Sequence, residues 1–138
     1  MRRLVWLAPL LAVAPSARAA TVDVEIDGIE PAGSVYVALC QGGLSEASCR
    51  NGQDAPARAG VHVVFKDVAA GAYAVAAFQD LNGNGRLDRT DLGLPLEPYA
   101  FSGEAGRRAR PDFAQAAFTL REPGTVLRLR LARALPRR

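Results

Sequence analysis

Residues 80–91, DLNGNGRLDRTD, place oxygen-bearing side chains at a regular spacing. Counted from Asp80 as position 1, asparagines occupy positions 3 and 5, glycine occupies position 6, and aspartates occupy positions 9 and 12. An EF-hand-type calcium loop uses side-chain oxygens at positions 1, 3, 5, 9 and 12, a backbone carbonyl at position 7, and glycine at position 6 for a sharp turn. The predicted calcium ligands are Asp80, Asn82, Asn84, the carbonyl of Arg86, Asp88 and Asp91.

The donor set of this loop favours calcium over other metals. Calcium takes six to eight hard oxygen ligands, whereas magnesium takes fewer and zinc prefers nitrogen and sulfur. A bound cation would also turn the mutual repulsion of the carboxylates into a shared attraction. Asp91 is the weakest predicted ligand because aspartate is one methylene shorter than the glutamate usual at position 12. The alternative is a metal-free series of Asn/Gly turns, since the same residues build ordinary turns.

The residues on either side of the loop do not predict helices. The preceding segment, AYAVAAFQ, has the composition of a strand. Gly93 and Pro95 follow the loop and would interrupt a helix. The sequence therefore predicts a calcium loop set between β-strands, which excludes the paired helices of a calmodulin-like sensor.

Short alternating segments separated by turn residues predict an all-β chain. In residues 21–29, apolar and polar side chains alternate, as in a strand with one face buried and one face in water. The other predicted strands are residues 33–39, 61–68, 72–79, 116–120 and 125–131. We expect residues 61–68 to pair with 72–79, and 116–120 to form a hairpin with 125–131. Residues 111–115 predict one short helical turn, with Pro111 at its start.

The position of Tyr73 gives a more specific indication of the fold. It lies just inside a strand that follows the turn at Gly71, as does the tyrosine of a tyrosine corner, whose hydroxyl binds the connecting backbone. An ordinary half-buried strand tyrosine is the alternative. The predicted fold is a single antiparallel β-sandwich, immunoglobulin-like or transthyretin-like, with the EF-hand-type calcium loop between its strands.

The first nineteen residues have the layout of a secretory signal peptide. Arg2 and Arg3 precede an apolar run over residues 4–15, and small residues, Ala17 and Ala19, follow. We therefore expect a signal peptide at 1–19, one domain at 20–138, no transmembrane segment after cleavage, and a periplasmic or secreted protein. An uncleaved N-terminal anchor is the alternative.

The expected export bears on the two cysteines. Cys40 and Cys49 predict a disulfide, because such pairs are oxidised in the compartments that exported chains reach.

The charge distribution also changes once residues 1–19 are set aside. Residues 20–138 contain 14 basic and 14 acidic residues, so the basic overall composition does not predict nucleic-acid binding. Residues 104–138 nevertheless carry 9 basic and 3 acidic residues. An arginine-rich surface that docks on anionic lipid or glycan is an alternative function, and it would use Arg107, Arg108, Arg110, Arg128, Arg130 and Arg133.

The segment FQDLNGNGRLDRTDLGLPLEPYAFSG resembles the signature of an exported bacterial family, domain-of-unknown-function family 2141. The shared pattern is D-x-N-x-N-G-x-L-D followed by G-x-P-x-E-x-x-x-F-S, here from Asp80 to Asp88 and from Gly93 to Ser102. The resemblance implies a small exported β-sandwich and brings no established activity. It adds Glu97 as a candidate metal ligand or as an acceptor that supports the ligands, and the alternative is a carboxylate that caps nearby backbone N–H groups.

These features together predict a non-enzymatic binding or structural module of the bacterial envelope with a structural calcium site. Its partner would be a protein or glycan of the envelope, and Pro95, Pro98, Tyr99 and Phe101 could present a recognition surface. The enzymatic alternative is a metal-assisted hydrolase that uses Asp80, Asp88, Asp91 and Glu97. The sequence does not favour this alternative, because it contains one histidine, His62, and no G-x-S-x-G motif.

Overall fold

The computed structural model of the chain describes residues 9, 12, 13, 19–103 and 111–135. Most of the predicted signal peptide, and Arg107, Arg108 and Arg110, lie outside the described residues. Within those residues, no helix is long and apolar enough to cross a membrane. The elements, in chain order, are β1 (Ala19–Asp27), β2 (Ser34–Cys40), β3 (Asn51–Pro56), β4 (Val61–Ala69), β5 (Gly71–Asp80), β6 (Tyr99–Phe101), α1 (Phe113–Ala116), β7 (Phe118–Leu120) and β8 (Gly124–Arg130).

The strands form two sheets. One sheet has three strands in the order β4-β1-β8, and the other has the order β3-β2-β5-β6, with β7 also paired to β5. A single cluster of buried apolar side chains contains residues from both sheets, including Val24 and Ile26 of β1 and Val37 of β2. The chain is therefore nearly all β, as predicted, with a common core shared by the two layers of strands.

Period-two alternation accounts for which face of each strand is buried. In β1, Val22, Val24 and Ile26 are fully buried, whereas Asp23 and Glu25 between them are partly exposed. Successive side chains of a strand point to opposite faces, so a period of two buries one complete set. All six predicted strands are present within two residues of their expected bounds. The predicted helical turn is present as α1, where the Asp112 side chain accepts a hydrogen bond from the Gln115 N–H.

The predicted pairing of residues 61–68 with 72–79 is wrong. The first segment lies in β4, which pairs with β1, and the second lies in β5, which pairs with β2 in the other sheet. The chain crosses between the sheets at Ala70, and the Tyr73 hydroxyl donates a hydrogen bond of 2.8 Å to the carbonyl of Ala69. This is the hydrogen bond expected of a tyrosine corner, and it ties the start of β5 to the end of β4.

The predicted hairpin between residues 116–120 and 125–131 is also wrong. β7 pairs with β5, whereas β8 crosses to the other sheet and pairs with β1 in parallel. The sheets are therefore not purely antiparallel. The alternation in β8 indicates which face of the strand is buried, but it carries no information on the direction or identity of the neighbouring strand.

Two strands, β3 and residues 99–101 of β6, were not predicted from the sequence. β3 has the sequence NGQDAP, and most of its residues are exposed, so it has no apolar alternation to detect. Its backbone pairs with β2 from Asn51 to Pro56, which places it at the edge of the larger sheet. Pairing with a buried neighbour, rather than burial of its own side chains, makes this segment a strand.

The predicted disulfide between Cys40 and Cys49 is present. It fastens the loop of residues 41–48 to the end of β2, where Cys40 is fully buried.

We expect a double variant, Cys40→Ala with Cys49→Ala, to lose about 2–3 kcal/mol of unfolding free energy, because the bond restricts the unfolded chain. Urea unfolding under non-reducing conditions measures this loss, and the reduced wild-type protein is the matched control. Equal stability of the oxidised protein and the double variant would contradict the expectation.

Candidate functional site

The predicted calcium loop begins on a firmly held strand end. Asp80 is the last residue of β5 and is 2% exposed, although the loop that follows it is largely in solvent. The preceding residue, Gln79, is fully buried, and its side-chain oxygen accepts the Glu30 N–H at 2.9 Å. The Gln79 amide nitrogen donates to the carbonyls of Glu30 and Ala32, each at 2.6 Å. The turn between β1 and β2 is thus bound to the residue on which the loop starts.

The backbone of the loop folds around the Asp80 carboxylate. One Asp80 oxygen accepts the Gly83 N–H at 2.9 Å, and the other accepts the Gly85 N–H at 2.7 Å. Gly85 has a φ of 77°, in the left-handed region that residues with a side chain rarely adopt. The glycine expected at position 6 of a calcium loop therefore has the conformation that the sharp turn requires.

The two asparagines contact both the backbone and Asp88. The side-chain oxygen of Asn82 accepts the Asn84 N–H at 3.2 Å, and that of Asn84 accepts the Arg86 N–H at 3.1 Å. Their amide nitrogens donate to the Asp88 carboxylate, Asn82 at 2.6 Å and Asn84 at 2.8 and 2.9 Å. The hydrogen bonds from Asn82 and then Asn84, helped by the nearby charge of Arg86, lower the pKa of Asp88, so the folded loop favours the ionised carboxylate.

The loop thus brings the side chains of positions 3, 5 and 9 into contact, and the Asp80 carboxylate of position 1 binds the backbone between them. Carboxylate and amide oxygens are ligands that suit calcium, and the Arg86 carbonyl follows in the same turn. Among the residues that the structure describes, however, no three His, Cys, Asp or Glu side chains are grouped so that they could hold a metal ion. Between residues 80 and 88, this hydrogen-bonded network contains two carboxylates, Asp80 and Asp88, and both accept hydrogen bonds from amide or backbone N–H groups.

The other two predicted ligands differ in their surroundings. Asp91 is exposed and lies in the turn after the loop network. Glu97 is 5% exposed and accepts the Leu81 N–H at 2.6 Å through one oxygen and the Asp88 N–H at 3.2 Å through the other. Glu97 therefore caps backbone groups near both ends of the loop. A metal-ligand role for Asp91 or Glu97 stays a prediction.

Two arginines of the predicted anionic-binding surface have acidic partners. Arg128 pairs with Glu25 at 2.8 Å on the exposed face of the smaller sheet. Arg133 pairs with Glu30 at 2.7 Å in a half-buried position and reaches the Leu96 carbonyl at 3.4 Å. Arg133 thus ties the end of the chain to the β1–β2 turn and to the segment beside Glu97.

Three of the four residues proposed as a recognition surface do not form one. Pro95 and Pro98 are buried, and Tyr99 is 2% exposed, so only Phe101 of these four residues keeps partial access to solvent.

The structural roles of Gln79 and Arg133 were not predicted from the sequence. The signal for Gln79 was its place in the alternation of Val75 and Ala77, which predicts a buried position for a polar side chain.

Comparison of the chain with known protein families gives a match over residues 24–127 to a family described as "Uncharacterized protein conserved in bacteria (DUF2141)". Neither the curated proteins nor the solved structures contain a match to the chain.

Proposed function

The chain belongs to this family of uncharacterized bacterial proteins, and we propose that it is an exported, non-enzymatic binding or structural domain of the bacterial envelope with a structural calcium ion. The family description names no activity, so the proposal depends on the loop of residues 80–91. The observation that carries it is the folding of this loop around the Asp80 carboxylate, with Asn82, Asn84 and Asp88 in mutual contact.

In this proposal, the ion binds between the oxygens that the loop already gathers. Asp80, Asn82, Asn84, the Arg86 carbonyl and Asp88 would hold it, and water or Asp91 would complete the six to eight ligands that calcium takes. The ion would replace the two asparagine amides as the partner of the Asp88 carboxylate. Glu97 would keep the ends of the loop in place through its bonds to the N–H groups of Leu81 and Asp88.

A structural role for the ion is favoured over a signalling role. The loop follows strand β5 and leads to strand β6, so no pair of helices is present at the loop to open on binding. Calcium sites of extracellular modules bind at about 10⁻⁴ to 10⁻³ M, where the ion stays bound and fixes the local fold. Export is supported by the pattern of residues 1–19 and by the Cys40–Cys49 bond, since disulfides persist in oxidising compartments.

The position of His62 also supports a non-enzymatic role. His62 is the single histidine of the sequence, and it lies on β4, in the smaller sheet, where its ring contacts the Asp23 carboxylate. The acidic loop lies at the end of β5 in the other sheet. A metal-assisted hydrolase would therefore have to find a general base among the carboxylates that the loop uses for its own hydrogen bonds.

We expect calcium to raise the thermal unfolding midpoint of the purified protein above its value in EDTA. At a free calcium concentration ten times the dissociation constant, the stabilisation is about 1.4 kcal/mol, which corresponds to a rise of about 4 °C or more in a domain of this size. Magnesium is expected to give a smaller rise, because it does not suit a site with many protein oxygens.

The test variant for this experiment is Asp88→Asn, which keeps the size of the side chain and removes its charge, and the matched control is Asp54→Asn. We expect the midpoint of Asp88→Asn in EDTA to be somewhat below that of the wild type, because the hydrogen bonds from Asn82 and Asn84 favour a charged carboxylate, and we expect its response to calcium to disappear. Asp54→Asn, at an exposed position of β3, should keep the full response. A wild-type protein that shows no calcium shift and contains no metal by elemental analysis would refute the calcium site.

A further inference from the structure

The outer face of the larger sheet carries a groove of about 670 Å³. One wall is formed by the disulfide loop, through Leu44 and Glu46, and the opposite wall by the loop of residues 80–91, through Arg86 and Leu87. Strands β2, β3 and β5 form the floor. Ligand sites in proteins have volumes of about 300–1,000 Å³, and they combine apolar walls with a few polar groups.

The strand register explains why a groove forms at this place. Gly52, Ala38, Ala76 and Phe101 lie opposite one another on four neighbouring strands. Residues that face each other across paired strands lie on the same face of a sheet, so this row is a line of small side chains that ends at an aromatic ring. With neighbouring strands about 4.8 Å apart, the row is about 14 Å long.

The next row along the strands supplies an aromatic wall. Tyr36 and Phe78 lie opposite each other on β2 and β5, and Asp54 lies opposite Tyr36 on β3. The two rings are stacked with centroids 5.1 Å apart and an interplanar angle of 8°. Both rings remain partly exposed and line the groove. The groove is therefore a trough of small residues with a raised aromatic edge, and it runs across the strands.

We propose that this groove binds a neutral carbohydrate. A sugar ring has a face of C–H groups, which packs on aromatic and methyl surfaces, and a rim of hydroxyl groups, each of which can both donate and accept hydrogen bonds. Arg86 and Arg89 at the groove can only donate, whereas Glu46 and Asp54 can only accept. A neutral polyhydroxylated ligand satisfies both kinds of group, whereas an anionic ligand would satisfy the two arginines and leave the two carboxylates facing a like charge.

The direction of the groove disfavours an extended peptide. A peptide that binds a sheet by strand addition needs a free strand edge, but β2 and β5 are each paired on both sides. Among the described strands, β3 has a free edge, and a peptide added there would lie beside the sheet rather than across the floor of the groove. A peptide lying across these strands would place its backbone N–H and C=O groups over alanine, glycine and aromatic side chains. Burying those groups without partners is costly.

This inference rests on the proposed function as a binding domain, but it does not require the calcium ion. The groove and the proposed calcium site are connected, since Arg86 and Leu87 belong to the loop of residues 80–91 and also form one wall of the groove. Calcium bound to that loop would hold the wall in one conformation. We therefore expect carbohydrate binding to be tighter with calcium than with EDTA.

The test uses the purified protein on an array of neutral oligosaccharides built from glucose, galactose, mannose and N-acetylglucosamine. The same experiment includes polyuronic acids, sulfated glycans and a library of extended peptides. Binding to at least one neutral oligosaccharide is expected. Titration calorimetry with that oligosaccharide should show at least tenfold weaker binding for Tyr36→Ala and for Phe78→Ala.

A third variant, Gly52→Leu, fills the trough. A Cβ atom at Gly52 would have the Val37 carbonyl oxygen, at 3.8 Å, as its one neighbour within 4 Å among the described residues, so the backbone accepts a side chain at this position. It should weaken binding at least tenfold while the thermal midpoint stays near that of the wild type. Val126→Ala is the matched control, because Val126 is 59% exposed on β8 of the other sheet and its variant should bind normally.

Several outcomes would overturn the carbohydrate site: no binding to any neutral oligosaccharide, binding only to anionic glycans or peptides, or unchanged binding in all three groove variants. Failure of the calcium site is distinguishable from these outcomes. Carbohydrate binding that persists in a protein with no calcium response supports the groove and refutes the metal, whereas a calcium response without carbohydrate binding refutes the groove alone.

Discussion

Alanine in place of Gly33 is expected to cost at least about 4 kcal/mol of unfolding free energy, enough to leave much of the protein unfolded. A Cβ atom at this position would lie 1.9 Å from the carbonyl oxygen of Asp80, and Gly33 has a φ of 68°. Neither backbone can move away easily. The Gly33 carbonyl accepts the Ala57 N–H at 3.0 Å, and the adjacent Ser34 is paired with Asp80 in the ladder between β2 and β5.

Gly60→Ala is the matched control for this prediction. Gly60 has a φ of 71°, almost the same as Gly33, but a Cβ atom added there meets no atom within 4 Å. Its substitution should therefore cost only the conformational penalty of a left-handed residue, about 1–2 kcal/mol. Urea unfolding of both variants separates the two effects. Equal losses would show that the strand end at Asp80 can shift to accommodate a methyl group.

The second large effect is expected at Glu97, where alanine should cost about 3 kcal/mol. The buried carboxylate is the acceptor for the N–H groups of Leu81 and Asp88. A donor left without its acceptor in a partly buried place costs about 1–3 kcal/mol. Urea unfolding in EDTA is the decisive measurement. EDTA removes bound metal, so a residue that acts only as a metal ligand contributes nothing to the unfolding free energy under that condition. A loss of unfolding free energy in EDTA shows that Glu97 stabilises the loop through its hydrogen bonds to the Leu81 and Asp88 N–H groups.

Glu97→Gln tests the same contacts without a change in size. Glutamine keeps one acceptor oxygen and presents an amide nitrogen to the other N–H group, so its loss in EDTA should lie between zero and that of the alanine variant. Asp91→Ala is the comparison, since Asp91 is exposed and should contribute little to stability without calcium. The opposite result would be a Glu97→Ala variant that is as stable as the wild type in EDTA but less stable than the wild type in calcium. Glu97 would then act as a metal ligand and not through its hydrogen bonds to the loop backbone.

How far the fold could be predicted depends on whether the information is local. Burial in β1, from Val22 to Ile26, follows from a period of two that a short segment contains in full. Partner choice is not local, and the segments that lie in β4 and β5 were therefore assigned to the same sheet although the chain crosses between sheets at Ala70. β3 could not be found at all, because its exposed sequence is a strand only by virtue of its pairing with β2.

The candidate site likewise combines contacts that are local in the sequence with contacts between distant residues. The contacts of Asn82 and Asn84 with Asp88, and those of Asp80 with the N–H groups of Gly83 and Gly85, all lie within nine consecutive residues, where spacing in the sequence is informative. The support beneath them comes from elsewhere in the chain. Gln79 binds a turn that is 47 and 49 residues away, and Arg133 reaches Glu30 across 103 residues. No sequence pattern near the loop contains these contacts, because they exist only once the two sheets are assembled.

The parallel pairing of β1 with β8 has a consequence for the order in which the molecule can be completed. β1 is the middle strand of its sheet, yet its contact with β8 joins residues such as Glu25 and Arg128 that are 103 positions apart. A nascent chain emerging from the ribosome would carry β1 with one side unpaired until residues 124–130, which form β8, had been synthesised. Contacts that distant slow folding. The topology thus leaves the smaller sheet incomplete until β8 has been made, so its middle strand is the last part of the described fold to gain both of its neighbours.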